Sequence, residues 1–253
     1  MRDIDALRIE EAGLNALQTQ RQLFYDGWVL RVSPGKAKRA RSVNPHFGSS
    51  LPLGAKIDHC EGLYEGCGLP ALFRITPFAK PTGLDAALET RGYVAFDPTL
   101  VQMMRLADFP NPARNGVAKI LAATMAEFVE TAGELRASSP EQRAAHLERL
   151  ACTPLATHAV IAHIDDAPAA CGQVALEDGI AGIYDMVTAD EARGNGIATA
   201  IVGVLLAWAR QRGASHAFLQ VNDDNAPALA VYRKFGFATA YRYHYRARPG
   251  ECL

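Results

Sequence analysis

Residues 191–199 read E-A-R-G-N-G-I-A-T, and an apolar run, A-I-V-G-V-L-L-A-W-A-R, follows directly at 200–210. The stretch before it, I-A-G-I-Y-D-M-V-T at 180–188, has the composition of a strand, and Ile197, Ile201, Val204, Leu205 and Trp208 recur at helical spacing. The segment therefore reads as strand, glycine loop, amphipathic helix. A helix that begins on a glycine loop presents unpaired backbone N–H groups, and with the helix dipole these favour an anion at its N-terminus. Glycine at 194 and 196 lets the backbone curl towards that anion, and Arg193 adds a cation. Two phosphate motifs are excluded, because neither the G-K-[ST] ending of a P-loop nor G-x-G-x-x-G spacing is present. What is left, R-x-x-G-x-A (Arg193, Gly196, Ala198), is by itself better explained as a tight turn.

Downstream, 225–237 reads N-A-P-A-L-A-V-Y-R-K-F-G-F. The ordered pair, R-x-x-G-x-A on a strand-to-helix loop followed by N-x-x-A-x-x-x-Y-x-x-x-G-F, resembles the GNAT superfamily of acetyl-CoA-dependent N-acyltransferases over roughly Thr99 to Arg248. The resemblance implies an α/β (α+β) fold with a central mixed, mostly antiparallel sheet flanked by helices, and acetyl-CoA as co-substrate without a metal. It also implies that the backbone from Arg193 through Gly194, Asn195, Gly196, Ile197 and Ala198 to Thr199 holds the coenzyme A pyrophosphate. A backbone N–H near Met186 or Val187 would polarise the acetyl carbonyl, Asn225 would reach the pantetheine arm, and Tyr232 would protonate the departing thiolate. The plainer readings are a helix cap for Asn225 and a half-buried helix tyrosine for Tyr232. For the general base, Asp185 is the first candidate, with Glu177, Tyr184 and His244 also open.

Bulk composition agrees with a globular protein. Hydrophobic residues make up 49% of 253, charged residues 21%, and the formal net charge is −1, which argues against a nucleic-acid surface. No apolar stretch reaches membrane-spanning length and the first residues are too charged for a signal peptide. The five cysteines are odd in number and form no C-x-x-C, so neither a disulfide framework nor a metal site is expected, and a cytoplasmic location is. A monomer or homodimer is expected, acting on a small-molecule or protein amine.

The first half of the chain reads as a shortened second copy. Aligning Gly92 with Gly236 matches Tyr93 to Phe237, and the preceding order of strand, strand, helix, strand, helix, strand corresponds. Leu88 then falls at the Tyr232 position and Pro81 at the Asn225 position, and G-S-S-L-P-L-G-A (48–55) carries no R-x-x-G-x-A. The expectation is a truncated, non-catalytic GNAT-like domain over 1–98 and a complete GNAT N-acetyltransferase domain over 99–253. The basic residues at 36, 38, 39 and 41 read as a solvated strand or hairpin edge in preference to a nucleic-acid patch, and R-A-R-S-V-N-P (39–45) is a candidate contributor to the acceptor pocket. Within the second half, Leu100 to Leu106 reads as the first strand, and Val117, Ile120, Leu121, Thr124, Met125 and Phe128 as a helix stripe. Two other readings stay open: a non-catalytic acyl-CoA-binding or regulatory protein, and a plain α/β protein in which the glycines only make a turn.

Overall fold

The computed structural model describes residues 5–109 and 118–252. A first helix, α1 (Ala6–Asn15), is capped by Asp5, whose side chain accepts from the Arg8 N–H. The single strand expected across Phe24 to Val32 is a hairpin, β1 (Gln22–Tyr25) and β2 (Trp28–Arg31). Its turn is Asp26-Gly27, both with positive φ (43° and 84°), the two-residue geometry that Asp-Gly supports. There follow β3 (Val43–Asn44), α2 (Leu53–Gly66), β4 (Phe73–Ile75), α3 (Leu84–Thr90) and a long strand, β5 (Val94–Arg105). The second half runs β6 (Lys119–Ala123), α4 (Met125–Leu135), α5 (Pro140–Cys152), β7 (Ala156–Ile164), β8 (Ala167–Glu177), β9 (Ile180–Thr188), α6 (Ile197–Gln211), β10 (His216–Asn222), α7 (Ala226–Arg233) and β11 (Ala238–Ala247).

Three further sequence expectations are corrected. The stretch read as a helix from Val117 contains β6, and the helix starts only at Met125, where Thr124 and Glu127 form a capping box; Val117 itself lies outside the described residues. The apolar spacing misled because its window joined an exposed edge strand to the first turns of a helix. The strand expected at Leu100 to Leu106 starts at Val94, so it runs unbroken across the expected boundary at 98/99. On α6, Val204 is exposed and Trp208 half-buried, while Val202, Leu206 and Ala209 are buried with Ile197, Ile201 and Leu205. That helix is covered on a wider face than a simple stripe predicts.

All eleven strands of the described residues form one sheet, in the order β1-β2-β3-β4-β11-β5-β10-β9-β8-β7-β6. Neighbours are antiparallel except for β3 with β4 and β9 with β10. The order β1-β2-β3-α2-β4-α3-β5 is repeated by β7-β8-β9-α6-β10-α7-β11. At the centre the two halves interleave. β5 lies between β10 and β11, and β11 lies between β4 and β5. Each half thus supplies one strand to the middle of the other.

Apolar packing follows this plan. Ile201, Leu205, Val174, Ile183 and Leu219 belong to a core around α6, while Trp28, Ile57, Tyr64, Phe73 and Leu88 form another around α2 and α3. Between them α1 packs Ile9 and Ala12 with Phe218, Tyr241, Tyr243 and Tyr245. Each such large side chain contributes about 1.5–3 kcal/mol when fully buried. At this junction Arg74 pairs with Glu10, both almost fully buried, and Tyr241 Oη donates to Glu10 Oε2 at 2.6 Å. No helix among the described residues is long and apolar enough to cross a membrane.

Candidate active site

The parallel neighbours β9 and β10 are in register from Ile180 opposite His216 to Ile183 opposite Leu219, and pair no further. Beyond that point Tyr184–Thr188 and Gln220–Asn222 line opposite parts of a cleft of about 760 Å³. The sheet opens here because β9 is bent by a bulge. Its register with β8 passes from Tyr184 opposite Gln173 to Val187 opposite Cys171, so Asp185 and Met186 face one residue, Gly172. A bulge leaves a residue out of the ladder and re-aims its neighbours. Gly172 makes room for it, since a Cβ there would lie 2.3 Å from Met186 Sδ. Asp185 takes the left-handed φ of 52° that the bulge requires.

The glycine loop closes one end of the cleft. Gly194 and Gly196 both have positive φ, 80° and 75°, and Gly196 is the N-cap of α6 with no side-chain cap bond. The first N–H groups of α6, from Ile197 to Thr199, are thereby left for a ligand. Thr199 Oγ1 is buried there without a hydrogen-bond partner, a second orphan at the same place. Arg193 lines the cleft, exposed and paired with Asp190 at 2.6 Å. Of the expected cofactor residues, Met186, Val187, Arg193, Gly194, Gly196, Ile197, Ala198, Thr199 and Asn225 all line the cleft. Asn195 does not; its amide turns to the carbonyls of Ala192 and Arg193. With Arg39, Arg136, Arg193 and Lys234 against Asp185 alone, the charge of the lining suits a polyanionic ligand. No cluster of three or more metal-binding side chains occurs among the described residues.

Across the cleft, α7 carries Asn225 and Tyr232. Asn225 Oδ1 accepts from the Ala228 N–H at 3.2 Å, so this residue does cap the helix, and its amide nitrogen is the part left for a ligand. Tyr232 is 8% exposed, and burial pushes its phenol up to about 12. It is therefore protonated through the neutral range.

Asp185 is differently placed from a free base. Its carboxylate accepts from Gln173 Nε2 at 2.8 Å and Arg136 Nη1 at 3.1 Å, and His146 Nε2 lies at 3.1 Å. Arg149 stands 4.0 Å away. Burial opposes its charge, but His146, Arg136 and Arg149 together hold it well below the usual carboxylate range. Such a group is a poor proton acceptor at neutral pH. The other base candidates divide. Glu177 receives the Asn15 amide and His244 faces Asp85, both away from the cleft, whereas Tyr184 lines it with a buried, unpartnered hydroxyl.

Sequence reading missed Arg136 and Gln220 on the cleft wall, and His146 and Gln173 behind Asp185. These lie far apart in the chain, with no spacing to announce them. Arg39 had a signal, in the basic stretch of the first half. Its segment is neither strand nor hairpin edge but a 3₁₀ turn, Lys38–Ala40, that brings Arg39 into the cleft.

Residues 134–237, from the end of α4 to the start of β11, match the Acetyltransferase (GNAT) family. Over that stretch the chain is similar to the GNAT family. It is 29% identical over 248 residues to the uncharacterized N-acetyltransferase YobR of Bacillus subtilis (strain 168), covering 96% of this chain and 99% of that protein. A GCN5-related N-acetyltransferase from Kribbella flavida has the same fold, with a TM-score of 0.72 and 20% identity over 97% of this chain and 96% of that one. A tandem GNAT protein from the clavulanic acid biosynthesis pathway superposes with a TM-score of 0.64 and 18% identity, covering 87% and 77% of the two chains. The glycine loop, the bulge and α7 all lie within the stretch matched to the GNAT family.

Proposed function

We propose that this protein is an N-acetyltransferase that moves an acetyl group from acetyl-CoA directly to an amine. The observation that carries the reading is convergence: the uncapped N-terminus of α6, the bulge at Asp185-Met186 and the hydroxyl-bearing Tyr232 all line one cleft. In this reading the α6 N-terminus and its glycine loop bind the pyrophosphate, and the Asn225 amide contacts the pantetheine. A backbone N–H at the bulge stabilises the negative charge that develops on the carbonyl oxygen as the amine nitrogen attacks. As the carbon–sulfur bond breaks, Tyr232 delivers its proton to the sulfur. Asp185 serves as an anchor that holds Arg136 and His146 around the bulge. The amine loses its proton to water in the cleft, so the rate follows the acceptor's own ionisation.

The first half, on this reading, is a shortened GNAT-like copy without chemistry. Leu88, at the Tyr232 position, is fully buried in a core. Its contribution is β5, which completes the sheet, and Arg39, which enters the cleft.

Calorimetry with coenzyme A and an assay for free thiol over an amine panel test the proposal. Tyr232→Phe should lower kcat about 10²-fold, within the usual range for losing a general acid, while coenzyme A affinity stays within about twofold. Unchanged turnover removes the acid role. Acetyl-CoA binding without transfer to any amine favours a non-catalytic acyl-CoA-binding protein, and no coenzyme A binding defeats both.

A further inference from the structure

Beside the main cleft is a smaller chamber of about 250 Å³, which shares Arg39, Gln220 and Asn222 with it. Its cations come from one short stretch of the first half, Lys36, Lys38 and Arg39. Only one carboxylate, Asp97, lines it among the described residues. That carboxylate is already engaged: Lys38 Nζ lies 3.1 Å from Oδ2, and Asn222 Nδ2 donates to Oδ1 at 2.7 Å. Lys36 Nζ donates to the Arg136 carbonyl at 3.1 Å.

Arg39 is left with neutral company. Its Nη1 donates to Gln220 Oε1 and, at 3.4 Å, to Tyr243 Oη, and its Nε is buried with no partner. A half-buried guanidinium without a carboxylate is costly to keep, and its planar fork suits carboxylate or phosphate. The neighbouring phenol reports the local potential. Burial opposes ionisation of Tyr243, yet Arg39 and Arg74 pull it below the ordinary tyrosine range.

We propose that the acceptor bears an anionic group, a carboxylate or a phosphate, close to its amine, and that Arg39 receives that group in this side chamber. The inference rests on the acetyltransferase reading and narrows its substrate class. The first half then determines which amine is accepted, while the second half holds the donor.

Matched pairs test it: α-amino acids against their amides, and phosphoethanolamine against ethanolamine, titrated calorimetrically into the full chain with and without saturating coenzyme A. At least one anionic member should bind ten times tighter than its neutral twin, the responding pair telling carboxylate from phosphate. Arg39→Gln should bring that ratio near one, and Arg39→Lys, which keeps the charge, should retain part of it. Equal affinity within every pair, binding of no anionic member, or a preference that survives Arg39→Gln overturns the proposal. Should Arg39→Gln fail to fold, the wild-type ratios and Arg39→Lys still decide it. Coenzyme A binding is read separately, so its absence counts against the acetyltransferase reading and not against the anion site.

Discussion

At Asp185 a single carboxylate meets Gln173, Arg136 and His146 on a backbone held at positive φ. Its folded pKa is depressed, so its stabilising contribution is present above the unfolded value near 4 and is lost as pH falls through the folded one. Asp185→Asn should therefore cost about 3 kcal/mol at pH 7, the scale for breaking a buried pair. Urea unfolding at pH 7 and pH 3 checks this, with the gap between variant and wild type smaller at the lower pH. An acidic side chain on a strand leading to the site made Asp185 a base candidate. Its three partners, Arg136 at the C-cap of α4, His146 on α5 and Gln173 on β8, support the proposed role of anchoring the bulge.

At the scale of the element, the strand–loop–helix unit from β9 to α6 is legible in the sequence because its chemistry is local. Glycine spacing sets the loop, and apolar recurrence sets the helix. Gly196 sits at φ 75°, where a side chain costs about 1–2 kcal/mol. Gly196→Ala should relieve that strain by shifting the first turn of α6, weakening coenzyme A binding about tenfold in a calorimetric titration with little change in the far-ultraviolet circular dichroism. Unaltered affinity would show that the α6 N-terminus does not hold the ligand. β6 was misread for the complementary reason. An exposed five-residue edge strand has little burial to imprint on its sequence, and the next helix lends it a false period.

Across the whole molecule, the exchange of β5 and β11 makes the halves interdependent. A fragment of residues 118–252 would lack β5, leaving the facing edges of β10 and β11 unpaired and part of the central core uncovered. Unpaired central edges pair with other chains. That fragment should be insoluble alone and recovered in soluble form when co-expressed with residues 1–117, measured by fractionation and size-exclusion chromatography. A soluble, folded 118–252 would mean that the interleaving adds little stability.

The sequence by itself determined the strand–glycine loop–helix unit, the asparagine and tyrosine of the following helix, and the repeated element order of the first half. All of these rest on contacts within a few residues or on motif spacing. Tertiary structure alone decided which strand stands in which sheet position and how Asp185 and Arg39 are paired. Those depend on partners brought together from distant parts of the chain, Arg39 to Gln220 and Tyr243 above all. Burial and charge balance act on such neighbours in space, and sequence spacing carries no record of them.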